Sequence, residues 1–322
     1  MWEIISLSAG FALLIFGANN LVNNASSLAS KLHIPNLVIG LTIVAFGTSS
    51  PELVVSIISS IQGNSEIAIG NVVGSNIFNI LAIMGISAVI FPLAVKSTTT
   101  WIEIPLCLLS ALLVLFLAHS GPADNSGYPL ISRTDGYIFL FMFLVFVFYN
   151  YHLAKKGDIT DEIKVRERSI KRSVFMIVTG LALLVLGGRL VVLSSVKIAL
   201  EIGIPERIIG LTIVSIGTSL PELVTSLVAA LKGNTDIAVG NIVGSNIFNV
   251  FLILGVSAVI NPVPLIAGTN TDLLVNIFAS LLLFAFIFTG KGRHIERWEG
   301  LFFIIAYILY IAFILFRQIP DL

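Results

Sequence analysis

Two glutamates stand in stretches of sequence that are otherwise apolar, and each belongs to the same short motif. Glu52 lies in GTSSPEL and Glu222 in GTSLPEL, inside apolar runs of helix length. If these runs cross a membrane, each carboxylate costs at least about 2.5 kcal/mol on insertion scales, which makes it a functional-site candidate. Almost all other acidic residues fall in predicted loops or within a few residues of the end of an apolar run. We therefore place the two glutamates at the centre of a candidate site.

The residues around each glutamate offer further oxygen atoms. On a helical projection Thr48 and Ser56 share a face with Glu52, and residues four apart in the next run also share a face. The candidate ligands with side-chain oxygen are Thr48, Ser49, Ser75 and Asn79 in one half, and Thr218, Ser219, Ser245 and Asn249 in the other. Ca²⁺ takes six to eight oxygens, whereas zinc and copper favour His, Cys or Met. Because the four His residues lie in or next to predicted loops, the pattern favours Ca²⁺ and Na⁺.

The two motifs belong to an internal repeat. Residues 40–92 and 210–262 align without a gap, and 33 of the 53 positions are identical. The polar positions GTSxPEL, GN and GSNIFN are the same in both copies, which predicts one site built from two halves. The small-residue pairs GNVVG and GNIVG are typical of helix packing. We assign Gly70, Gly74, Gly240 and Gly244 to packing, and leave Asn76 and Asn246 open between packing and the site.

The composition indicates a membrane protein. The chain has 322 residues, of which 57% are hydrophobic and 11% are charged, unlike a soluble domain of this size. Apolar runs recur along the whole chain, so the first is interpreted as a membrane helix and not as a removable signal. The 18 basic and 18 acidic residues balance, which gives no reason to expect nucleic acid as a partner. The single cysteine, Cys107, excludes an intrachain disulfide.

A membrane-spanning helix needs about 20 apolar residues, and on this rule the chain holds ten spans. The predicted spans are 3–28, 35–61, 67–91, 101–119, 134–154, 173–199, 205–231, 237–260, 272–289 and 299–317. They divide into a first five-helix repeat (1–154), a charged loop (155–172) and a second five-helix repeat (173–322). An odd number of spans in each half gives the halves opposite orientations, so the fold class is all-α with two inverted five-helix repeats, and the site is expected near the midplane between them.

Lysine and arginine in the short loops predict the orientation. Loop 155–172 carries seven of them and loop 290–298 carries three, whereas loop 261–271 has none. With the two basic loops in the cytoplasm, both termini lie outside a cell membrane that the chain crosses several times. One basic residue, Arg189, lies well inside a span, toward its outer end. Its stem can snorkel to the interface, and a gating or pairing role remains open.

Glycine and proline predict where the second and seventh spans are interrupted. Pro51 cannot donate a backbone hydrogen bond and its ring crowds the carbonyl of Gly47, while glycine lowers helix stability further. The second span should therefore kink or break around residues 45–51, and Gly217 with Pro221 should do the same to the seventh. Carbonyls freed in this way tolerate membrane depth only where they line a cavity or bind something.

The motif pair GTSxPEL and GNxxGSNxxN, present twice and inverted, resembles the α-repeats of the cation/Ca²⁺ exchanger superfamily, and most of all prokaryotic sodium/calcium antiporters. The resemblance covers nearly the whole chain. It implies that Glu52 and Glu222 lie at the centre of a cluster of ion sites, that the Thr and Ser residues at the matching positions supply hydroxyls, and that the carbonyls of Ala45 and Ser215 complete the Na⁺ sites. It also implies that the first and sixth spans slide across the core.

Two differences from other members of this superfamily limit which ion is expected to be exchanged for Ca²⁺. Potassium-dependent relatives typically carry an acid where this chain has Asn249, so the neutral Asn79 and Asn249 argue against K⁺. Proton/calcium relatives usually carry Asn-x-x-Glu in place of Ser-x-Pro-Glu, which argues against protons. We predict a Na⁺/Ca²⁺ antiporter, monomeric in the lipid bilayer, that needs no cofactor or nucleotide and is not an enzyme. The alternatives are a proton-coupled Ca²⁺ or other cation antiporter, a passive channel, and an intramembrane hydrolase, which no His at depth supports.

Overall fold

The chain folds into long apolar helices. The computed structural model describes residues 2–121, 127–156, 168–202, 215–265, 268–290 and 292–318. Eight helices in this part of the chain are long and apolar enough to span a membrane, and a bent pair makes a ninth span. In chain order the helices are α1 (Trp2–Leu32), α2 (Asn36–Thr48), α3 (Ser50–Ile61), α4 (Ile67–Ile90), α5 (Thr99–Ser120), α6 (Arg133–Lys156), α7 (Ile170–Glu201), α8 (Ser215–Thr218), α9 (Leu220–Leu231), α10 (Thr235–Ile260), α11 (Thr269–Phe286) and α12 (Arg297–Gln318). The protein is an all-helical polytopic membrane protein.

The predicted spans correspond to these helices, most of which run a few residues further. The span predicted at 173–199, for example, is the helix Ile170–Glu201. The seventh predicted span, 205–231, is described only from Ser215, because residues 203–214 lie outside the described part. Residues 157–167 of the predicted charged loop also lie outside it, and the loop's two ends belong to α6 and α7.

Both predicted interruptions are present. The axes of α2 and α3 differ by 48° across a break at Ser49, whose φ of −80° and ψ of 8° leave the helical region. Ser219 separates α8 from α9 with nearly the same dihedrals, φ −91° and ψ 9°. In both halves the proline falls in the first turn of the new helix, where a missing N–H leaves no hydrogen bond unmade. The GTSxPEL motif therefore ends one helix and begins the next.

Helices α1 and α7 pack along a seam of glycines. A Cβ placed on Gly17 would lie 2.8 Å from the carbonyl oxygen of Gly180, and one on Gly10 would lie 3.0 Å from that of Gly187. Backbones approach this closely only where the side chain is absent. Residue numbers rise along one helix as they fall along the other, so the two helices are antiparallel, as inverted halves require.

The core of the molecule lies along α4 and α10, the two helices that carry GSNIFN. Within an apolar 18-residue stretch of each helix, 78% of α4 and 83% of α10 is buried, against 17–39% for the other long helices described. Gly240 and Gly244 lie against the backbone of α2, which confirms that these two glycines pack helices, whereas a Cβ on Gly70 or Gly74 would meet no described residue within 4 Å. Each core helix loosens to π-helical geometry from the last residues of its motif onward, at Phe78–Met84 and at Asn249–Leu254. Such segments are frequent at functional sites.

Four two-residue strands tie the halves together. β1 (Leu93–Ala94) pairs antiparallel with β4 (His294–Ile295), and β2 (Leu130–Ile131) pairs antiparallel with β3 (Val263–Pro264). Each ladder therefore joins the end of the repeat unit in one half to the segment before the last helix of the other half. Sequence reasoning did not predict these strands, because runs of two residues carry no readable alternation.

Candidate cation site

Glu52 and Glu222 lie at the centre of the molecule, and each is hydrogen-bonded by a serine of the opposite half. Ser49 Oγ donates to Glu222 Oε1 at 2.8 Å, and Ser219 Oγ donates to Glu52 Oε1 at 3.0 Å. Both carboxylates are 1% exposed. Because each serine occupies the break between two helices, the interruption turns its hydroxyl toward the other repeat. The predicted two-half arrangement therefore exists as a reciprocal pair of bonds.

Each glutamate keeps one carboxylate oxygen free. Glu52 Oε2 and Glu222 Oε2 are buried and, among the described residues, accept no hydrogen bond. Neither carboxylate has a Lys or Arg ion-pair partner in that same part of the chain. A buried, unpaired carboxylate is costly unless a cation or a proton neutralises it. The arrangement is therefore suited to binding a cation between the two halves.

The threonines before the breaks differ in their surroundings. Thr48 is buried, and its hydroxyl donates to Asn241 Oδ1 at 3.0 Å and lies 3.3 Å from the carbonyl oxygen of Ala45. The same carbonyl accepts the N–H of Ser49 at 3.0 Å, whereas in the second half the N–H of Ser219 donates to the carbonyl of Ile216. Thr218 is only half-buried and lines a cavity. The backbone of Ser215, the match of Ala45, begins the short helix α8.

The serines of the core helices close the site from the other side. Ser75 Oγ lies 3.1 Å from Ser219 Oγ, so it joins the chain of hydroxyls that ends on Glu52. Ser245 is buried and its hydroxyl has no hydrogen-bond partner in the described residues. A buried hydroxyl without a partner costs free energy unless something occupies its coordination position. Both serines remain candidate ligands.

Four asparagines bridge the two core helices. Asn79 Nδ2 donates to Asn246 Oδ1 at 2.9 Å, and Asn249 Nδ2 donates to Asn76 Oδ1 at 2.9 Å. Asn76 and Asn246 in turn donate to each other's backbone carbonyls, at 3.2 and 3.3 Å. Their amide groups are thus used in joining the helices. In Asn79 and Asn249 the Nδ2 group is held by these hydrogen bonds, while the buried Oδ1 atom has no partner in the part of the chain described. An oxygen in this situation is suited to bind a cation.

Two further asparagines shape the site, and sequence reasoning left them out of the candidate ligands. Asn71 Nδ2 donates to Ser56 Oγ at 3.0 Å and lies 3.3 Å from the carbonyl oxygen of Glu52. Asn241 makes the same contacts with Ser226 and Glu222, at 2.9 and 3.3 Å. Each therefore fixes the helical turn that carries a glutamate. The signal was present in the sequence, because the GN pair recurs in both copies.

Two further glutamates, Glu103 and Glu299, are buried outside this site. Glu103 is 0% exposed and accepts a hydrogen bond from Tyr149. It lies near the start of a predicted span, and helix α5, which begins earlier at Thr99, places it inside the protein. The described residues contain no group of three or more His, Cys, Asp or Glu side chains that could hold a metal. The central site instead depends on two carboxylates, hydroxyls and amide oxygens, as a hard cation prefers.

The fold and the site together define a membrane transporter for cations and not an enzyme. Inverted repeats that meet at a buried, oxygen-lined site are the arrangement of secondary transporters. The family model for "Sodium/calcium exchanger protein" matches residues 2–152 and 172–316. The chain belongs to the sodium/calcium exchanger family, and it is a cation/Ca²⁺ exchanger.

Relatives match over nearly their whole length. The chain is 40% identical to CaxA of Alkalimonas amylolytica, over 95% of this chain and 96% of that protein. It is 32% identical to the sodium/calcium exchanger MaX1 of Methanosarcina acetivorans, over 97% of both. A solved structure of the sodium-calcium exchanger NCX_Mj, soaked with zero Na⁺ and Ca²⁺, superimposes with a TM-score of 0.80 at 33% identity, covering 96% of this chain and 98% of that one. The similarity therefore extends over nearly the whole chain.

Proposed function

We propose that this protein is a secondary antiporter that exchanges Na⁺ for Ca²⁺ by alternating access. The observation that carries the proposal is the reciprocal pair of serine–glutamate bonds, which leaves one oxygen of each buried carboxylate directed at no partner among the described residues. MaX1 and NCX_Mj are both named as sodium/calcium exchangers, and both match this chain over more than nine-tenths of its length. Their names support Na⁺ as the coupling ion here.

The proposed ligands are the oxygens gathered around the two carboxylates. They are Glu52, Glu222, Thr48, Ser49, Thr218, Ser219, Ser75, Ser245, Asn79 and Asn249, with the carbonyls of Ala45 and Ser215. The unpartnered Oδ1 of Asn79 and Oδ1 of Asn249 support the inclusion of these neutral residues. Neutral amides at both positions leave the pocket with a charge near −2, which one Ca²⁺ neutralises and which several Na⁺ also neutralise.

Exchange follows from this charge. An empty pocket would carry two bare carboxylates through a dry barrier, which is far more costly than moving a neutralised pocket. Only the ion-loaded states then interconvert between the inward-open and outward-open forms. Because Na⁺ and Ca²⁺ use the same carboxylates, binding one set excludes the other, and each crossing in one direction must be matched by a crossing in the other.

The orientation and the boundaries of the halves are part of the proposal. The basic residues of loops 155–172 and 290–298 support a cytoplasmic location for both loops, with both termini outside. The halves are then 1–154 and 173–322. We propose that a monomer is the functional unit, since the site is complete within one chain.

The coupling ion is tested in proteoliposomes by uptake of ⁴⁵Ca²⁺. We expect an outward Na⁺ gradient to drive uptake at constant pH, and a pH gradient without Na⁺ to drive little. Uptake that follows the pH gradient and ignores Na⁺ would replace sodium coupling with proton coupling. Ca²⁺ flux independent of any counter-ion would indicate a channel instead.

A further inference from the structure

The two halves pack differently around the site, and a cavity lies beside the site in one of them. At one end of the molecule α1 packs against α9, and two bonds fasten its C-terminal part to the segment after that helix. Asn234 Nδ2 donates to Ser26 Oγ at 2.9 Å, and Lys232 Nζ donates to Asn23 Oδ1 at 2.8 Å. Corresponding residues of the two halves are 170 positions apart, so Val196 corresponds to Ser26 and Leu193 to Asn23. These apolar residues cannot form the same bonds.

A cavity of about 410 Å³ occupies the equivalent place in the other half, between α7 and α3. It reaches Thr218 and Pro221, which lie beside Glu222. The cavity therefore ends beside the site, at the proposed ligand Thr218, on the side where the helices are apart, while Glu52 and Glu222 themselves stay buried.

One lining residue of this cavity is charged, and it is a cation. Arg189, on α7, is exposed, and the other described residues that line the cavity are apolar or neutral. Within the described residues no hydrogen bond or ion pair to Arg189 is found. The equivalent position in α1 is Asn19, whose side chain donates to the carbonyl of Ile15 on its own helix. The cavity therefore carries a fixed positive charge where the corresponding position of the other half is neutral.

We propose that Arg189 is a specificity-determining residue that slows the entry of Ca²⁺ through this cavity. The inference rests on the proposed cation exchange. It adds a difference between the two sides of the membrane in how fast Ca²⁺ enters, which the two-carboxylate site does not have by itself. A fixed positive charge repels a divalent ion twice as strongly as a monovalent ion. It therefore lowers the capture rate of Ca²⁺ more than that of each Na⁺, and it favours the departure of Ca²⁺ once the site has opened on this side.

The size of the effect follows from Coulomb's law. For a charge about 10 Å from the ion's path in water, at an ionic strength of about 10 mM, the local concentration of Ca²⁺ is lowered about threefold and that of Na⁺ less than twofold. At about 1 M salt the screening length is about 3 Å, and the effect disappears. A contribution from Arg189 must therefore depend on ionic strength.

The test compares R189N, which copies the residue found at position 19, with R189K, which keeps the charge. We measure kcat/KM for Ca²⁺ in proteoliposomes by Na⁺-driven ⁴⁵Ca²⁺ uptake and by ⁴⁵Ca²⁺/Ca²⁺ self-exchange, at about 10 mM and about 1 M choline chloride. We expect R189N to raise kcat/KM about threefold at low salt and to match the native protein at high salt, with R189K close to native at both.

Three results would overturn the proposal: R189N and native protein alike at low salt, a difference that persists at high salt, or R189K behaving as R189N. The last two would show that packing, and not charge, is responsible. Self-exchange needs no Na⁺ gradient, so it reports on Arg189 even if Na⁺ fails to drive uptake. That failure would instead refute the proposed coupling ion.

Discussion

At the scale of single residues, the site depends on how each amide is held. Asn79 and Asn249 donate through Nδ2 to Oδ1 atoms of the neighbouring asparagines, so each Oδ1 is turned away from the acceptor that holds the side chain. An amide in this position contributes an oxygen without adding charge. The two carboxylates then set the charge of the pocket, and the amides set its shape.

N249D should make transport pH-sensitive. The protonated acid can donate a hydrogen bond to Asn76 Oδ1, as the native amide does. The ionised carboxylate cannot donate, so its oxygen and Asn76 Oδ1 face each other as two acceptors. It also adds a third negative charge to the pocket. An unsatisfied buried acceptor costs about 1–3 kcal/mol, so Ca²⁺ exchange should fall roughly tenfold as the pH rises through the titration of this group. The initial rate of ⁴⁵Ca²⁺ uptake between about pH 5 and pH 9 measures it.

N79D is the matched variant in the first half, because Asn79 makes the equivalent bond to Asn246. It should show a fall in the same direction, while the native protein varies little over the range. If the profiles of N249D and the native protein superimpose, Asn249 does not face the transported ions.

At the scale of helices, the contact between α1 and α7 allows two antiparallel helices to touch backbone to backbone. Four glycines at matching positions of the two halves make the contact. Backbones this close hold the two helices together, so the pair can move over the core as one unit. This is the movement that the resemblance to exchangers implies for the first and sixth spans.

G180A should impair exchange much more than G188A, although both lie on α7. The new Cβ at position 180 would meet the carbonyl oxygen of Gly17 at 2.8 Å, whereas a Cβ at 188 has its nearest described neighbour at 3.8 Å. Overpacking of this kind costs about 1–3 kcal/mol. We expect the ⁴⁵Ca²⁺ uptake rate of G180A to fall at least about fivefold, with G188A within about twofold of native. Equal rates for the two variants would contradict a tight seam.

At the scale of the whole molecule, the structure is open on one side, and this can be measured by labelling. Val55 lines the cavity beside α7 and is 37% exposed, while its equivalent in the second half, Thr225, is 0% exposed. In buffer without Na⁺ or Ca²⁺, a membrane-impermeant maleimide should therefore label V55C quickly and T225C at least about tenfold more slowly. The native Cys107 is buried and provides a low background. Equal labelling of both cysteines would show that the two sides are equally accessible.

Much of this architecture could be read from the sequence, and the exceptions have physical reasons. The repeat, the span positions and the breaks at Ser49 and Ser219 followed from hydrophobicity, glycine and proline, which act locally. Asn71 and Asn241 were not recognised as positioning residues, because their partners lie 15 and 19 residues away on another helix. The difference between the two halves could not be predicted either. The repeat predicts the same conformation for both halves, and the bonds of Asn23 and Ser26 that distinguish one end join residues 209 and 208 positions apart.

The central claim is that one cation site is shared by two carboxylates from opposite halves. Its most direct test is Na⁺-driven ⁴⁵Ca²⁺ uptake by E52Q and E222Q, with E103Q as the control because Glu103 is equally buried but hydrogen-bonded to Tyr149 outside the site. Each central substitution removes half of the pocket's charge and leaves the apolar packing intact. We predict that E52Q and E222Q each lose uptake to below about 1% of native while remaining folded, and that E103Q retains most of it. Normal uptake in either E52Q or E222Q would contradict the shared site.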